Sequence, residues 1–137
     1  MQIQPYIFFD GRCDEALAFY KTALGAEVTM LLRYKDNPEL PKEGCGGQPD
    51  KVMHASVRVG DASFMAADGN CGGNPKFEGF GLSFTVPTEA HADRAFNALS
   101  AGGQVLAPLA KTFFSPRFGM VTDKFGVMWM VYVAPAA

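Results

Sequence analysis

The sequence has little that would place it in a membrane or on a nucleic acid. No apolar run approaches the roughly 20 residues of a membrane-spanning helix, and residues 1–16 lack the cationic and apolar segments of a secretory signal. Lysine and arginine number 12 against 14 acidic residues, which gives a net charge of −2. Because nucleic-acid binding and polybasic membrane association need a cationic surface, we expect neither kind of partner.

Cysteine and histidine are also scarce. Cys13, Cys45 and Cys71 are an odd number and include no CxxC pair, so we expect no disulfide framework and a reducing, cytoplasmic location. A metal site built from His54, His91 and a cysteine would need side chains from different faces, so it is not expected. What remains is a chain of 137 residues, 48% hydrophobic and 19% charged, which suffices for a folded domain with a buried core.

An internal repeat organises the chain. Residues 13–28, CDEALAFYKTALGAEV, align with residues 90–105, AHADRAFNALSAGGQV. Each segment predicts an amphipathic helix that ends at a glycine and leads into a strand. The sequence therefore predicts βαβββ twice, with a first module at 1–70, a linker at 71–78 and a second module at 79–137, in one structural domain. The predicted strands are 3–9, 27–34, 52–59, 62–68, 79–86, 104–109, 117–122 and 127–133.

Three stretches carry a resemblance that covers essentially the whole chain: PYIFFDGRCDEALAFYKTALGAE, VMHASVRVGDASFMAAD and DKFGVMW. They resemble the vicinal oxygen chelate superfamily of glyoxalase I, bleomycin-resistance proteins and extradiol dioxygenases. Within it they are most similar to the PhnB-like branch, sometimes labelled 3-demethylubiquinone 3-methyltransferase. The resemblance implies an α+β fold in which two βαβββ modules curl their mixed sheets into a cup. It names no substrate.

The resemblance also implies where a metal would bind, and this sequence departs from the pattern there. Metal-dependent members place His and Glu ligands on the first and last strands of each module. A hard divalent ion would find no such ligand at the matching positions, so we expect neither a metal nor another cofactor. The matching positions are Pro5, Met65, Gly81 and Met130, and a one-residue slip gives Tyr6, Ala66, Leu82 or Val131.

Polar and soft side chains on the predicted strands indicate a ligand-binding surface. In strand 52–59, His54 and Ser56 alternate with apolar residues and are expected to face the cup. A neutral imidazole there can exchange a proton near pH 7, although a structural histidine bonded to a loop is the alternative interpretation. Methionine adapts to flat or irregular ligands, but the same side chains could instead fill a core. The predicted ligand-binding residues are His54, Ser56, Met65, Ser83, Arg117, Met130 and Tyr132.

Other residues could contribute to the same surface. Phe113 and Phe114 could form an aromatic rim, and Arg33 and Arg58 could join Arg117 as cations for an anionic ligand. The long connection 35–51, rich in proline and glycine, is the kind of loop that is often functional.

Two functions are compatible with these residues. The preferred one, like that of bleomycin-resistance members, is metal-independent binding of a small apolar or aromatic ligand, with His54, Ser83 and Tyr132 as polar contacts. The alternative is a lyase or isomerase that uses His54 as acid and base or a non-standard metal site. A third, an interaction protein without small-molecule chemistry, stays open. We also expect a homodimer, because pairing would cover exposed sheet edges.

Overall fold

The computed structural model describes residues 1–39, 44–72 and 74–136, which form two compact units, Met1–Pro75 and Lys76–Ala137. Within these residues, each unit holds one α-helix and one four-stranded mixed sheet, and the first unit also has two short 3-10 helices, Tyr34–Asp36 and Gly44–Gly47. Positions 40–43 of the predicted loop and position 73 of the predicted linker lie outside the described residues. None of the helices in the described ranges is long and apolar enough to cross a membrane.

The first unit follows the predicted βαβββ order. In its sheet, β1 runs parallel to β4, and β4, β3 and β2 are antiparallel neighbours in that order. Strand β1 is shorter than the predicted 3–9 because Pro5 has no N–H to donate; its carbonyl accepts the N–H of Met65. The elements are β1 (Tyr6–Phe8), α1 (Cys13–Leu24), β2 (Glu27–Arg33), β3 (Val52–Val59) and β4 (Ala62–Ala67).

The second unit repeats this topology, with β5 parallel to β8 and the sheet order β5-β8-β7-β6. The repeat extends to an irregularity: β2 shifts register against β3 between Val28 and Met30, and β6 shifts against β7 between Val105 and Ala107. The predicted α+β fold of two βαβββ modules is thus confirmed. The elements are β5 (Leu82–Val86), α2 (Glu89–Ser100), β6 (Gln104–Ala110), β7 (Phe118–Thr122) and β8 (Met128–Val133).

Each helix covers one face of its own sheet. On α1, Tyr20 is fully buried, with its ring 6.0 Å from that of Phe9 and 6.2 Å from that of Phe64. Under α2, Gly119 leaves room for Phe96, because a Cβ at position 119 would lie only 2.7 Å from that ring. The opposite faces of the two sheets are therefore the ones left for a binding site.

Two buried aspartates fix the ends of elements. Asp68 accepts the N–H of Cys13 at 2.7 Å and that of Val52 at 2.6 Å, which ties the start of α1 to the start of β3. Asp123 accepts the indole N–H of Trp129 at 2.9 Å. Trp129 is accordingly buried, on the face that α2 covers.

The expectation of no disulfide is wrong. Cys45 and Cys71 are bonded, with their Cα atoms 5.1 Å apart, and Cys13 is a buried free thiol. Their pairing comes from two loops that meet: a Cβ at Gly44 would lie 2.7 Å from the carbonyl oxygen of Asn70. Cysteine spacing in the sequence carries no information about such a loop contact.

Candidate functional site

The uncovered face of the first sheet brings together several predicted binding residues. Pairing across the four strands places Tyr6, Met65, Ser56 and Met30 in one row. Phe8 and His54, each two positions along a strand from a member of that row, share the same face. We call this surface the first open face; it consists of Tyr6, Phe8, Met30, His54, Ser56 and Met65.

The polar centre of the first open face is His54. The hydroxyl of Tyr6 lies 2.8 Å from Nδ1 of His54, and Oγ of Ser56 lies 3.4 Å from Nε2. Partial burial raises the pKa of the Tyr6 hydroxyl still further above neutral pH. The phenol therefore carries its proton and can donate it to Nδ1. With Nδ1 accepting from Tyr6, we assign the ring N–H of His54 to Nε2, which points toward Ser56.

Apolar side chains surround this polar pair. The ring of Tyr6 stacks on that of Phe8 with centroids 4.8 Å apart and planes 18° apart. Tyr6, Phe8 and Met30 are 37%, 52% and 48% exposed, so much of their surface is open to a ligand. The face thus offers a flat aromatic surface, adaptable thioethers and a hydrogen-bond donor for a ligand, the hydroxyl of Ser56.

The second sheet has a corresponding uncovered face. Ser83, Met130 and Met120 form one row across β5, β8 and β7, and Thr85, Tyr132 and Phe118 form the next. We call these six residues the second open face. An aromatic cluster continues it, since the ring of Phe114 lies 5.0 Å from Phe118 and 6.3 Å from Tyr132, and beyond it Phe113 is fully exposed.

The structure thus brings three of the predicted ligand-binding residues, His54, Ser56 and Met65, onto the first open face. It places Ser83, Met130 and Tyr132 on the second. The seventh, Arg117, lies on neither open face.

Arg117 lies on the helix side of its sheet. Its guanidinium binds Asp93 of α2 through Nε at 2.8 Å and through a terminal nitrogen at 2.7 Å. This position follows from strand alternation, because its neighbour Phe118 is on the opposite, open face. Arg117 is therefore engaged with α2 and separate from Met130 and Tyr132.

The other two candidate arginines are also in ion pairs. Arg33 binds both carboxylate oxygens of Asp14, at 2.8 and 2.9 Å, and Arg58 pairs with Glu27. The hydrogen bond from Arg33 lowers the pKa of Asp14. A free cation for an anionic ligand is thus not supplied by these arginines.

The side chains at the first and last strands do not fit the metal centre of metal-dependent relatives. On the open faces, these strands present Tyr6, Met65, Ser83 and Met130, whose phenol, thioether and hydroxyl groups are poor ligands for a divalent ion. Across residues 1–39, 44–72 and 74–136, no group of three His, Cys, Asp or Glu side chains is arranged to hold a metal.

Sequence reasoning did not identify Tyr6 and Phe8 as members of the first open face. Their alternation with the buried Ile7 was the available signal, but the strand has only three residues. The contact of Tyr6 with His54 depends on β4 lying between β1 and β3, and strand order is not encoded in local periodicity.

Comparison with known proteins identifies close relatives. Residues 1–132 match the family model described as 3-demethylubiquinone-9 3-methyltransferase. Protein YjdN of Escherichia coli K12 is 31% identical over 140 residues, which covers 97% of this chain and 95% of that protein. The crystal structure of protein PA1353 from Pseudomonas aeruginosa superposes with a TM-score of 0.85 at 40% identity, over 98% of both chains.

More distant structures share the fold. A putative 3-demethylubiquinone-9 3-methyltransferase, PhnB protein, from Bacillus cereus has a TM-score of 0.80 at 27% identity, over 98% of this chain and all of that one. A glyoxylase/bleomycin resistance protein/dioxygenase domain from Frankia sp. EAN1pec has a TM-score of 0.66 at 15% identity, over 98% of both chains, a likeness of fold alone.

Proposed function

Because the chain belongs to the 3-demethylubiquinone-9 3-methyltransferase family, a PhnB-like branch of the glyoxalase/bleomycin-resistance fold, we propose that it binds a small, flat aromatic molecule without the help of a metal. The observation that carries this proposal is the Tyr6–His54 hydrogen bond, set among exposed aromatic and thioether side chains. Binding would take place on the first open face.

The apolar part of the first open face supplies the affinity. Burying apolar surface is worth about 25 cal/mol per Å², and Tyr6, Phe8 and Met30 each leave more than a third of their surface exposed. A planar ligand can stack on the Tyr6–Phe8 pair while Met30 and Met65 adapt to its outline.

The polar part of the face sets the ligand's orientation. Tyr6 occupies Nδ1 of His54 and thereby directs the Nε2–H toward Ser56. The Nε2–H then faces the Ser56 oxygen, which leaves the Ser56 hydroxyl to donate to a ligand. The ligand should therefore carry an acceptor oxygen there, such as a ketone. The second open face offers a similar combination of side chains in Ser83, Met130 and Tyr132. We therefore propose that this face, taken by itself, is a second apolar surface for a ligand.

Acid–base catalysis by His54, in a lyase or isomerase, is the second candidate. It is favoured by the exposed Tyr6 hydroxyl, which could relay a proton to or from the imidazole. Binding is better supported, because the partner of Nδ1 is a phenol with a raised pKa rather than a carboxylate that would stabilise an imidazolium.

Methyl transfer, which the family description names, has no specific support in these residues. A nucleotide-type methyl donor is usually held by a glycine-rich turn between a strand and a helix. The connection from β1 to α1 contains a single glycine, Gly11.

The test uses 2-acetylnaphthalene, with naphthalene as the hydrocarbon control, and follows the methionine methyl groups by NMR. We expect 2-acetylnaphthalene to shift the signals of Met30 and Met65 and to bind more tightly than naphthalene. His54→Gln should reduce that preference, and His91→Gln, the control on α2, should not. If Met30 and Met65 stay unmoved, or both variants behave alike, binding on the first open face is rejected.

We further propose that the protein is a homodimer. Edge strands β2 and β6 expose apolar side chains, with Leu31, Val105 and Leu106 being 38%, 44% and 49% exposed. Such edges are usually covered in native proteins.

A further inference from the structure

We propose that the Cys45–Cys71 disulfide is a redox-active site that exchanges with small dithiols, and that its reduction rearranges Phe8 and Tyr6 on the first open face. The effect on ligand binding rests on the proposed function; the thiol chemistry and the rearrangement do not.

Contacts connect the disulfide to the first open face. Gly69, two residues before Cys71, packs its backbone on Phe8: a Cβ at Gly69 would lie 3.3 Å from Cδ1 of that ring. Phe8 stacks on Tyr6, and Tyr6 holds the imidazole of His54. A shift of the segment 69–71 therefore reaches His54, the polar centre of the face, through two side chains, Phe8 and Tyr6.

The disulfide holds the backbone at Cys71 in an unfavourable conformation. Cys71 has a φ of 54°, in the left-handed region that side chains other than glycine rarely adopt. The turn Gly44–Gly47, which contains Cys45, also packs closely against Asn70, the residue before Cys71. Opening the disulfide would let Cys71 return to an ordinary conformation and would release the turn.

The change would stay local because a second anchor does not depend on sulfur. The carboxylate of Asp10 accepts the N–H of Gly72 at 2.5 Å and that of Asn74 at 2.7 Å. These bonds hold the chain just beyond Cys71 in either redox state. Reduction is thus expected to adjust residues 69–71 without unfolding the unit.

The accessibility of the two sulfur-bearing residues sets the order of the exchange. Cys45 is 1% exposed, whereas Cys71 is partly exposed. A dithiol thiolate therefore attacks Sγ of Cys71; the protein S–S bond breaks, and Cys45 leaves as a thiolate and takes up a proton. The second thiol of the reagent then attacks the reagent sulfur that is bonded to Cys71 in the mixed disulfide. This step releases Cys71 as a thiol and leaves the reagent as a cyclic disulfide. Two electrons pass from the dithiol to the protein, and a small-molecule disulfide reverses the step.

The chemistry is checked first by counting thiols. The protein is denatured in iodoacetamide without reductant, and its intact mass is measured; only Cys13 should be alkylated. After prior treatment with dithiothreitol, all three cysteines should be. Three alkylated cysteines without reductant would show that the disulfide does not form, and the proposal would be overturned.

The rearrangement is checked by NMR of the wild-type protein, oxidised, reduced with dithiothreitol and then reoxidised. We expect the ring signals of Tyr6 and Phe8 and the methyl signal of Met65 to move on reduction and to return on reoxidation, while Met120 stays unchanged. Cys45→Ser combined with Cys71→Ser should resemble the reduced protein and be insensitive to dithiothreitol. Unmoved rings, or a double variant that still responds to the reductant, would contradict the proposal.

Ligand binding separates this inference from the proposed function. We expect the dissociation constant of 2-acetylnaphthalene to rise by roughly threefold or more on reduction, because a less ordered face is less well preorganised. Rings that move while 2-acetylnaphthalene binds in neither state would support the redox link and reject the proposed function. Equal binding of 2-acetylnaphthalene in both states, with unmoved rings, would support the proposed function and reject the redox link.

Discussion

The hydroxyl of Tyr6 lies 2.8 Å from Nδ1 of His54, a contact between residues 48 positions apart in the chain. Strand β4 runs between their two strands, so the side chains meet above it on the uncovered face. On β4, Met65 is the register partner of both Tyr6 and Ser56. The contact between Tyr6 and His54 is thus a consequence of the sheet order.

Replacing Tyr6 with Phe should release His54 from its single tautomer. Without the phenolic donor, Nδ1 loses its partner, and 15N spectra of the ring should change from one tautomer to a mixture of two. The affinity for 2-acetylnaphthalene should fall by about 0.5–1.5 kcal/mol, the usual worth of one hydrogen bond. Tyr132→Phe, which removes a phenol from the other sheet, is the matched control for the His54 ring spectrum. An unchanged His54 ring spectrum in Tyr6→Phe would contradict the assigned tautomer.

The fold was predictable because its signals are local. Alternation along 52–59 placed His54 and Ser56 on one face, and the helical period in 13–24 and 90–100 gave the two helices, so the repeat follows from patterns of a few residues. Arg117 could have been placed correctly by extending the same alternation from Phe118.

What the sequence could not provide are contacts made between distant elements. The Tyr6–His54 bond requires knowing which strands are neighbours, and the Cys45–Cys71 bond requires two irregular loops to meet. Neither depends on a periodic pattern, so the sequence offered no signal for either one.

Replacing Asp68 with Ala should destabilise the first unit strongly. The carboxylate is buried and accepts two backbone N–H groups, from Cys13 and Val52, which would both lose their acceptor. At about 1–3 kcal/mol for each unsatisfied group, the free energy of unfolding in urea should fall by roughly 2–6 kcal/mol. Asp61, an exposed turn residue, offers a control. Asp61→Ala should change the free energy of unfolding by about 0.5 kcal/mol or less. A loss of similar size in both variants would show that Asp68 does not anchor the helix.

The Asp14–Arg33 ion pair should make stability depend on pH in the acid range. Its hydrogen bond to Arg33 lowers the pKa of Asp14 in the folded protein, so the pair stabilises the fold above the unfolded pKa of about 3.9. That contribution is lost as the pH falls through the lower, folded pKa. At neutral pH, the free energy of unfolding of the wild type should exceed that of Asp14→Asn by up to about 1 kcal/mol. The difference is small because the pair is largely exposed. The two unfolding curves should converge in strong acid; a difference that grows there would contradict this sign.

Replacing Arg117 with Ala should leave ligand binding intact, in contrast to its predicted role as a ligand contact. The guanidinium is paired with Asp93 on the helix side, so its loss should cost about 1 kcal/mol of stability or less. 2-Acetylnaphthalene bound on the second open face would shift the methyl signals of Met120 and Met130 in the wild type, and Arg117→Ala should give the same shifts. A clear loss of those shifts in Arg117→Ala, but not in Asp93→Asn, would return Arg117 to the binding surface.

Replacing Leu106 with Glu should weaken the proposed homodimer. Leu106 is 49% exposed on edge strand β6, and a charge buried in an apolar interface without a partner is strongly unfavourable. Light scattering after size exclusion should then show a monomer at concentrations where wild type is a dimer. Gln104→Glu introduces the same charge at an exposed polar position of the same strand and should remain dimeric. A monomeric wild type would reject the dimer itself. Equal dimer fractions in both variants would place the interface away from β6. Strand β2, with its exposed Leu31, would then be the edge to test next.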